Sequence, residues 1–202
     1  MPRAGSLELS PLGLEIFFEF RVSSFEFPSE ASPVRVLAID PSLRATGYAL
    51  VESGARADSA RALDYGVIKN TASLLASGCL VEIRRRIVEL IAEHSPDCCA
   101  VEGVIFVQSY RTAITMGAAR GAALLAAAEH GLPIYEYAPR LVKMAVVGRG
   151  GAQKDQVAFM VRALLGLKTT PGADAADALA IGLTHLRQSL GGLSALKPPT
   201  RI

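Results

Sequence analysis

The order of apolar segments predicts an α/β fold, a mixed sheet of five strands flanked by helices. Three strand-like runs come first, then helix, strand, helix, strand and a closing group of helices. That order suits antiparallel strands on one side of a sheet and parallel ones on the other. The chain has 202 residues, is 50% hydrophobic and shows no internal repeat, so it fits one domain with a core of its own.

Residues 1–33 stand apart. They hold five acids against two bases and end in "FPSEASP", a linker bracketed by Pro28 and Pro33. This extension is expected to be a disordered arm, an extra strand or the product of a start codon placed too early, with the domain proper at 34–187. "VRVLAID" (34–40) and "ATGYALV" (45–51) are apolar runs joined by a turn containing Pro41, and "ALDYGVIKN" (62–70) completes an antiparallel meander. Between Leu74 and His94, the residues Leu80, Ile83, Ile87, Leu90 and Ile91 recur at helical spacing, Arg84, Arg85 and Arg86 fall largely off that stripe, and Pro96 stops the helix.

"CCAVE" (98–102) is a short buried strand, followed by an alanine-rich helix, "TAITMGAARGAALLAAAEHG", closed by Gly131. "PIYEYAP" supplies the fifth strand. "RLVKMAVVG" and "AQKDQVAFMVRALLGL" are helices, and a last helix runs from about Asp174 to Arg187. Residues 188–202 are expected to be a flexible tail.

Composition narrows the function classes. No apolar run reaches the roughly 20 residues that span a bilayer. Glu15, Glu19 and Arg21 interrupt the one N-terminal stretch that resembles a signal sequence, and no basic segment precedes it. Cys79, Cys98 and Cys99 form no CxxC pair, which argues against a disulfide framework or a zinc site and suits a reducing cytoplasm. His94, His130 and His185 fall near helix ends, where capping the dipole accounts for them. Beyond the extension, 14 acids face 19 bases, and the resulting +5 suits a polyanionic partner.

Four acids sit where a solvated charge is out of place. Asp40 ends the first strand and Glu102 the fourth. Asp174 and Asp177, in "PGADAADALA", stand at i and i+3 on the last helix, on one face about 5–6 Å apart. Burying isolated carboxylates is costly, and close like charges raise one another's pKa. A divalent cation removes that penalty. Four carboxylates balance two Mg²⁺ ions, which prefer oxygen ligands and for which Mn²⁺ can substitute. Two such ions about 3.5–4 Å apart can activate water and steady the leaving oxygen of a phosphodiester. Each acid alone also has a plain structural use, Asp174 as a helix cap and Asp40 as the turn residue before Pro41.

The segments "AIDPSLRATGYALV", "SPDCCAVEGVIF", "MGAARGAALLAAAEHGLPIYEYAPRLVKMAVVGRGGAQKDQV" and "ADAADALAIGLTH", in this order and with matching spacing from about Val34 to Leu186, resemble the RuvC family of Holliday junction resolvases. The resemblance implies a ribonuclease H-like fold, a homodimer, Mg²⁺-dependent paired nicking of four-way DNA junctions, and the branch-migration proteins RuvA and RuvB as partners. It places the family's acidic cluster on Asp40, Glu102, Asp174 and Asp177 and its lysines on Lys143 and Lys154. Two positions depart from the family pattern. Gly103 stands where a Gln is usual, and Ile105 where an aromatic near the junction's bases is common, with Phe106 beside it as the candidate for that contact.

Arg140, Lys143, Arg149 and Lys154 occur without an intervening acid up to Lys154, around the flexible "GRGG", and this stretch suits a phosphate backbone. Arg111 is a further candidate for DNA contact. Gly117 and Gly121 smooth one helix face so that another helix can approach it, in the core or at a subunit interface. Actin-like ATPases and sugar kinases also open with an aspartate-ended strand and hairpin, but they need a second phosphate-binding hairpin and a larger chain. A catalytically silent DNA-binding module is the alternative outside enzymes; loss of one of the four acids would favour it, and all four are present.

Overall fold

Two strand ends, Asp40 and Glu102, lie level with each other because of how the sheet is paired. The computed structural model describes residues 33–54, 59–103, 109–189 and 199–202. Strand β1 (Arg35–Asp40) pairs antiparallel with β2 (Ala45–Ser53), and β2 with β3 (Ala60–Lys69), forming the expected meander. On its other side β1 runs parallel to β4 (Cys98–Glu102), with Ile39 beside Val101, and β4 runs parallel to β5 (Ile134–Tyr137).

The order across the sheet is β3-β2-β1-β4-β5-β6. The sixth strand, β6 (Thr200–Arg201), is one more than the sequence predicts and lies within the stretch expected to be a tail. It pairs antiparallel with β5, and the Ile202 N–H donates to the Ile134 carbonyl at 3.1 Å. Two residues carry no alternation to recognise; what holds them is the open ladder edge of β5.

Alternating side chains divide the core into two layers. Val36, Ala38, Ala49, Val51, Cys98, Ala100 and Tyr137 face α3 (Pro139–Val147), α4 (Lys154–Leu164) and α5 (Ala173–Ser189). Leu37, Ile39, Leu50, Cys99 and Val101 face α1 (Ala76–His94) and α2 (Tyr110–Glu129). The stripe Ile83, Ile87, Leu90 and Ile91 is the buried face of α1, as its spacing predicts. Pro139 opens α3, and Gly148, at φ 78°, closes it with its N–H on the Met144 carbonyl.

Two expectations change. His185 does not cap a dipole in solvent: it is buried, with Nδ1 2.7 Å from the Tyr137 hydroxyl and Nε2 3.3 Å from Cys98 Sγ. Gly117 and Gly121 do not pack in the core, since both are exposed with open space where a Cβ would stand; the face of α2 that packs is Ala119, Ala123, Ala126 and Ala127. The N-terminal extension, residues 1–32 of it, lies outside the described residues.

Candidate active site

Alternation fixes where the two strand acids point, and the helix packed on that face brings the other two. Asp40 follows Val36 and Ala38 on one face of β1, and Glu102 follows Cys98 and Ala100 on the same face of β4. That face is the one covered by α5, which carries Asp174 in its first turn and Asp177 one turn on. All four carboxylates therefore gather on one side of the sheet, at the C-terminal ends of β1 and β4.

Three local devices hold them there. After Asp40 the chain turns at Pro41, and the fully buried Thr46 pins the turn: its hydroxyl donates to the Ser42 carbonyl at 2.5 Å and accepts from the Ser42 N–H at 3.2 Å. Gly47 pairs with Asp40 across the hairpin and lies beneath the start of α5, so close that a Cβ there would stand 2.1 Å from the Asp174 carbonyl oxygen. Gly182, two turns along α5, sits over Ala38 and Val51, where a Cβ would be 2.8 Å from Val51 Cγ2. The helix thus lies flat on β1 and β2 because two positions lack side chains.

Burial and mutual repulsion set the charge of the cluster. Burial, then the charges of Asp177 and Asp174, push Asp40 up to about 6, against the pull of Lys154. Burial, then Asp40 and Asp177, push Glu102 up to about 7, opposed by Lys143 and Lys154. Asp177 is raised by burial and moderated by Lys154, whose Nζ lies 3.4 Å from its Oδ2. A cleft of about 430 Å³ opens at these strand ends, lined by Asp40, Glu102, Met116, Arg120, Arg140 and Lys143 among others. Arg140 is exposed and lies across Gly150, which also lines the cleft; a Cβ at 150 would be 2.6 Å from Arg140 Cγ.

The geometry matches known proteins along most of the chain. The family model for crossover junction endodeoxyribonuclease RuvC matches residues 36–185. The chain belongs to the RuvC family. A crossover junction endodeoxyribonuclease RuvC from Akkermansia muciniphila is 61% identical over 153 residues, 76% of this chain and 90% of that protein. One from Halorhodospira halophila is 44% identical over 161 residues, 80% of this chain and 95% of that protein. The solved structure of Thermus thermophilus RuvC in complex with a Holliday junction substrate superposes with a TM-score of 0.75 at 37% identity, covering 84% of this chain and 99% of that one. The ribonuclease H-like architecture expected from the sequence is the one observed.

Within this RuvC-family fold the acids are near enough to perturb one another, yet among the described residues no three of His, Cys, Asp or Glu form a ready-made metal cage. Mg²⁺ is commonly held by only one or two protein carboxylates, so the four need not close such a cage by themselves. The donor set is oxygen only, which fits a hard divalent cation and excludes a thiolate or imidazole zinc site. Of the two expected lysines, Lys143, on α3, lines the cleft, and Lys154, the first residue of α4, meets Asp177. Arg149 is exposed in the turn between these helices. Arg111 lies inside the first turn of α2, exposed, and does not line the cleft. Phe106 and Ile105 fall outside the described residues.

Two residues escaped the sequence reading. Gly47 could have been noticed as a glycine inside a strand, which often marks a close backbone approach. Arg120 is the one charge between Arg111 and Glu129 in an alanine-rich helix, and it reaches the strand carrying Glu102.

Proposed function

We propose that this chain is a crossover junction endodeoxyribonuclease that resolves Holliday junctions by paired, Mg²⁺-dependent nicks in opposite strands. The observation that carries this is the gathering of Asp40, Glu102, Asp174 and Asp177 at one end of the sheet, beside a cleft with basic walls, in a chain of the RuvC family. Asp40, Glu102, Asp174 and Asp177 would hold two Mg²⁺ ions, with Mn²⁺ an acceptable substitute. When bound, such ions supply an activated water and stabilise the leaving oxygen of the phosphodiester.

The rest of the work falls to side chains. Lys154 partly neutralises Asp177 before DNA arrives, and Lys143 presents its charge inside the cleft beside Asp40 and Glu102. A phosphate drawn between them would meet the carboxylates from the solvent side. Arg140 and Arg149 continue the positive wall along the path of a strand, with Arg111 and Phe106 as further contacts. Phosphate contacts of this kind orient the junction without reading its bases.

The same reading includes a homodimer, whose paired sites would cut the two strands. Tyr110, Ile114 and Leu125 are exposed apolar residues on α2, and Gly117 and Gly121 fall between them at helical spacing. A second copy of this face would cover the stripe, with the glycines allowing close approach. RuvA and RuvB are the expected partners in branch migration, and the cytoplasm the expected compartment; among the described residues no helix is long and apolar enough to cross a membrane.

A synthetic four-way junction tests the reading. Purified protein with Mg²⁺ is expected to nick it symmetrically and to spare linear duplex. Removing one metal ligand forfeits several kcal/mol of charge stabilisation, so Asp40→Asn should slow cutting at least about 100-fold while leaving junction binding in place. A junction bound but intact in both Mg²⁺ and Mn²⁺ would mean a binding module.

A further inference from the structure

Glu102 is the last residue of β4, and its side chain and carbonyl depend on how that strand ends. Alternation along β4 turns the N–H and carbonyl of Glu102 toward β1, and those of Gly103 toward β5, where the Gly103 N–H donates to the Tyr137 carbonyl at 2.8 Å. With Ile39 level with Val101, the β1 residue that would donate to the Glu102 carbonyl is residue 41. That residue is Pro41, which has no N–H. The sequence thus leaves an unsatisfied carbonyl at the very residue that offers a carboxylate to the cleft.

Arg120 fills the gap. Its Nη1 donates to the Glu102 carbonyl at 2.7 Å, and its Nη2 pairs with the Glu136 carboxylate on β5. The side chain is only 13% exposed and comes from α2, which packs on the face of the sheet opposite to α5. The strand end is therefore gripped from the α2 side, at the edge of the same cleft, while the Glu102 side chain belongs to the face covered by α5. Glu136 cancels the guanidinium charge, so the grip adds no net positive charge beside a site that must take up cations.

We infer that Arg120 is a positioning residue for junction cleavage: by holding the Glu102 carbonyl, with Glu136 holding Arg120, it fixes the direction in which the Glu102 carboxylate enters the metal site. This rests on Glu102 being a metal ligand. Outer partners that orient ligands typically cost 10–100-fold in metal affinity or activity when removed. A side chain that served packing alone would lower stability without touching metal affinity.

The test uses the full chain and compares Arg120→Met, Arg120→Lys, Glu136→Gln and Glu102→Gln. Mn²⁺ binding is read by electron paramagnetic resonance without DNA, junction binding by mobility shift in EDTA, and cleavage as kcat and KM. Arg120→Met is expected to weaken Mn²⁺ binding and lower kcat by about 10–100-fold, with junction binding in EDTA and KM within about threefold, and Arg120→Lys should recover part of both losses. Wild-type Mn²⁺ affinity and kcat in a folded Arg120→Met protein overturn the inference. If Arg120→Met does not fold, Glu136→Gln decides: a several-fold loss of Mn²⁺ affinity supports the inference and an unchanged affinity overturns it. Glu102→Gln separates the two levels. Full cleavage by that variant removes the ligand assignment itself, whereas an inactive Glu102→Gln beside a fully active Arg120→Met removes only the role of Arg120.

Discussion

At position 47 the absence of a side chain decides how near Asp174 comes to Asp40. A Cβ there would stand 2.1 Å from the Asp174 carbonyl oxygen and 2.7 Å from its carbon, both main-chain atoms that cannot rotate away. Gly47→Ala must therefore lift the first turn of α5 and carry Asp174 and Asp177 away from the strand ends. We expect an overpacking cost of about 1–3 kcal/mol and, because a shift of about 1 Å at a reacting centre can cost on the order of 100-fold, a fall in cleavage of roughly that size. Gly182→Ala is the control. Its Cβ would press on Val51 Cγ2 and Ala38 Cβ at 2.8 and 3.3 Å, about two turns beyond Asp174 and more than one beyond Asp177, so it should lower the melting temperature with much less effect on kcat. Equal losses of kcat in the two variants would mean that Gly47 serves packing and not the spacing of the acids.

Among the elements, α3 and α4 form the basic wall that faces the acids. Pro139 and Gly148 delimit α3, Gln153 and Gln156 cap α4 reciprocally, and the short turn between the helices presents Arg149. Replacing Arg140 and Arg149 by alanine should weaken junction binding about equally for different arm sequences and flatten the slope of log K against log salt by about 0.9 per lost phosphate contact. An unchanged slope would remove this wall from the DNA path. The long elements were legible because their signal is local: the stripe of α1 and the runs of β1, β2 and β4 are written in consecutive residues. The gathering of the acids was legible only through the family resemblance. Whether Asp40 and Glu102 share a face depends on the register of β1 against β4, and a one-residue slip would turn them apart. A side-chain hydrogen bond to a main-chain atom 18 residues away leaves no local mark in sequence, which is why the grip of Arg120 on Glu102 was invisible. The burial of His185 was hidden for a related reason, since two of its three partners, Tyr137 and Cys98, are 48 and 87 residues away and only Ser189 is local.

For the whole molecule, the proposed metal site would make stability depend on cations and protons together. In the metal-free fold Asp40 and Glu102 keep their protons up to about 6 and about 7, whereas the unfolded chain releases them near 3.8 and 4.5. Their contribution to stability is thus fully present below about pH 4 and is lost as the pH rises through 6–7. His185, pushed down to about 4 by burial, acts in the opposite sense: its contribution is present above about pH 6.5 and is lost as the pH falls through 4. The two trends oppose each other between pH 4 and 7, so a melting curve in EDTA alone does not separate them. The difference between melting with and without Mg²⁺ does, because His185 contributes equally to both. At pH 8 the carboxylates are ionised and free to bind. Mg²⁺ at a hundredfold over its Kd should then add about 2.7 kcal/mol, raising the melting temperature by roughly 5–10 °C for a chain of this size. At pH 5 protons occupy Asp40 and Glu102, and the Mg²⁺ shift should shrink to a small fraction of that. Asp40→Asn should reduce the shift at pH 8 as well, since it would remove one of the proposed ligands at every pH. A Mg²⁺ shift of the same size at pH 5 and pH 8 would mean that the cation binds elsewhere, because no ligand set containing two raised carboxylates can ignore the proton.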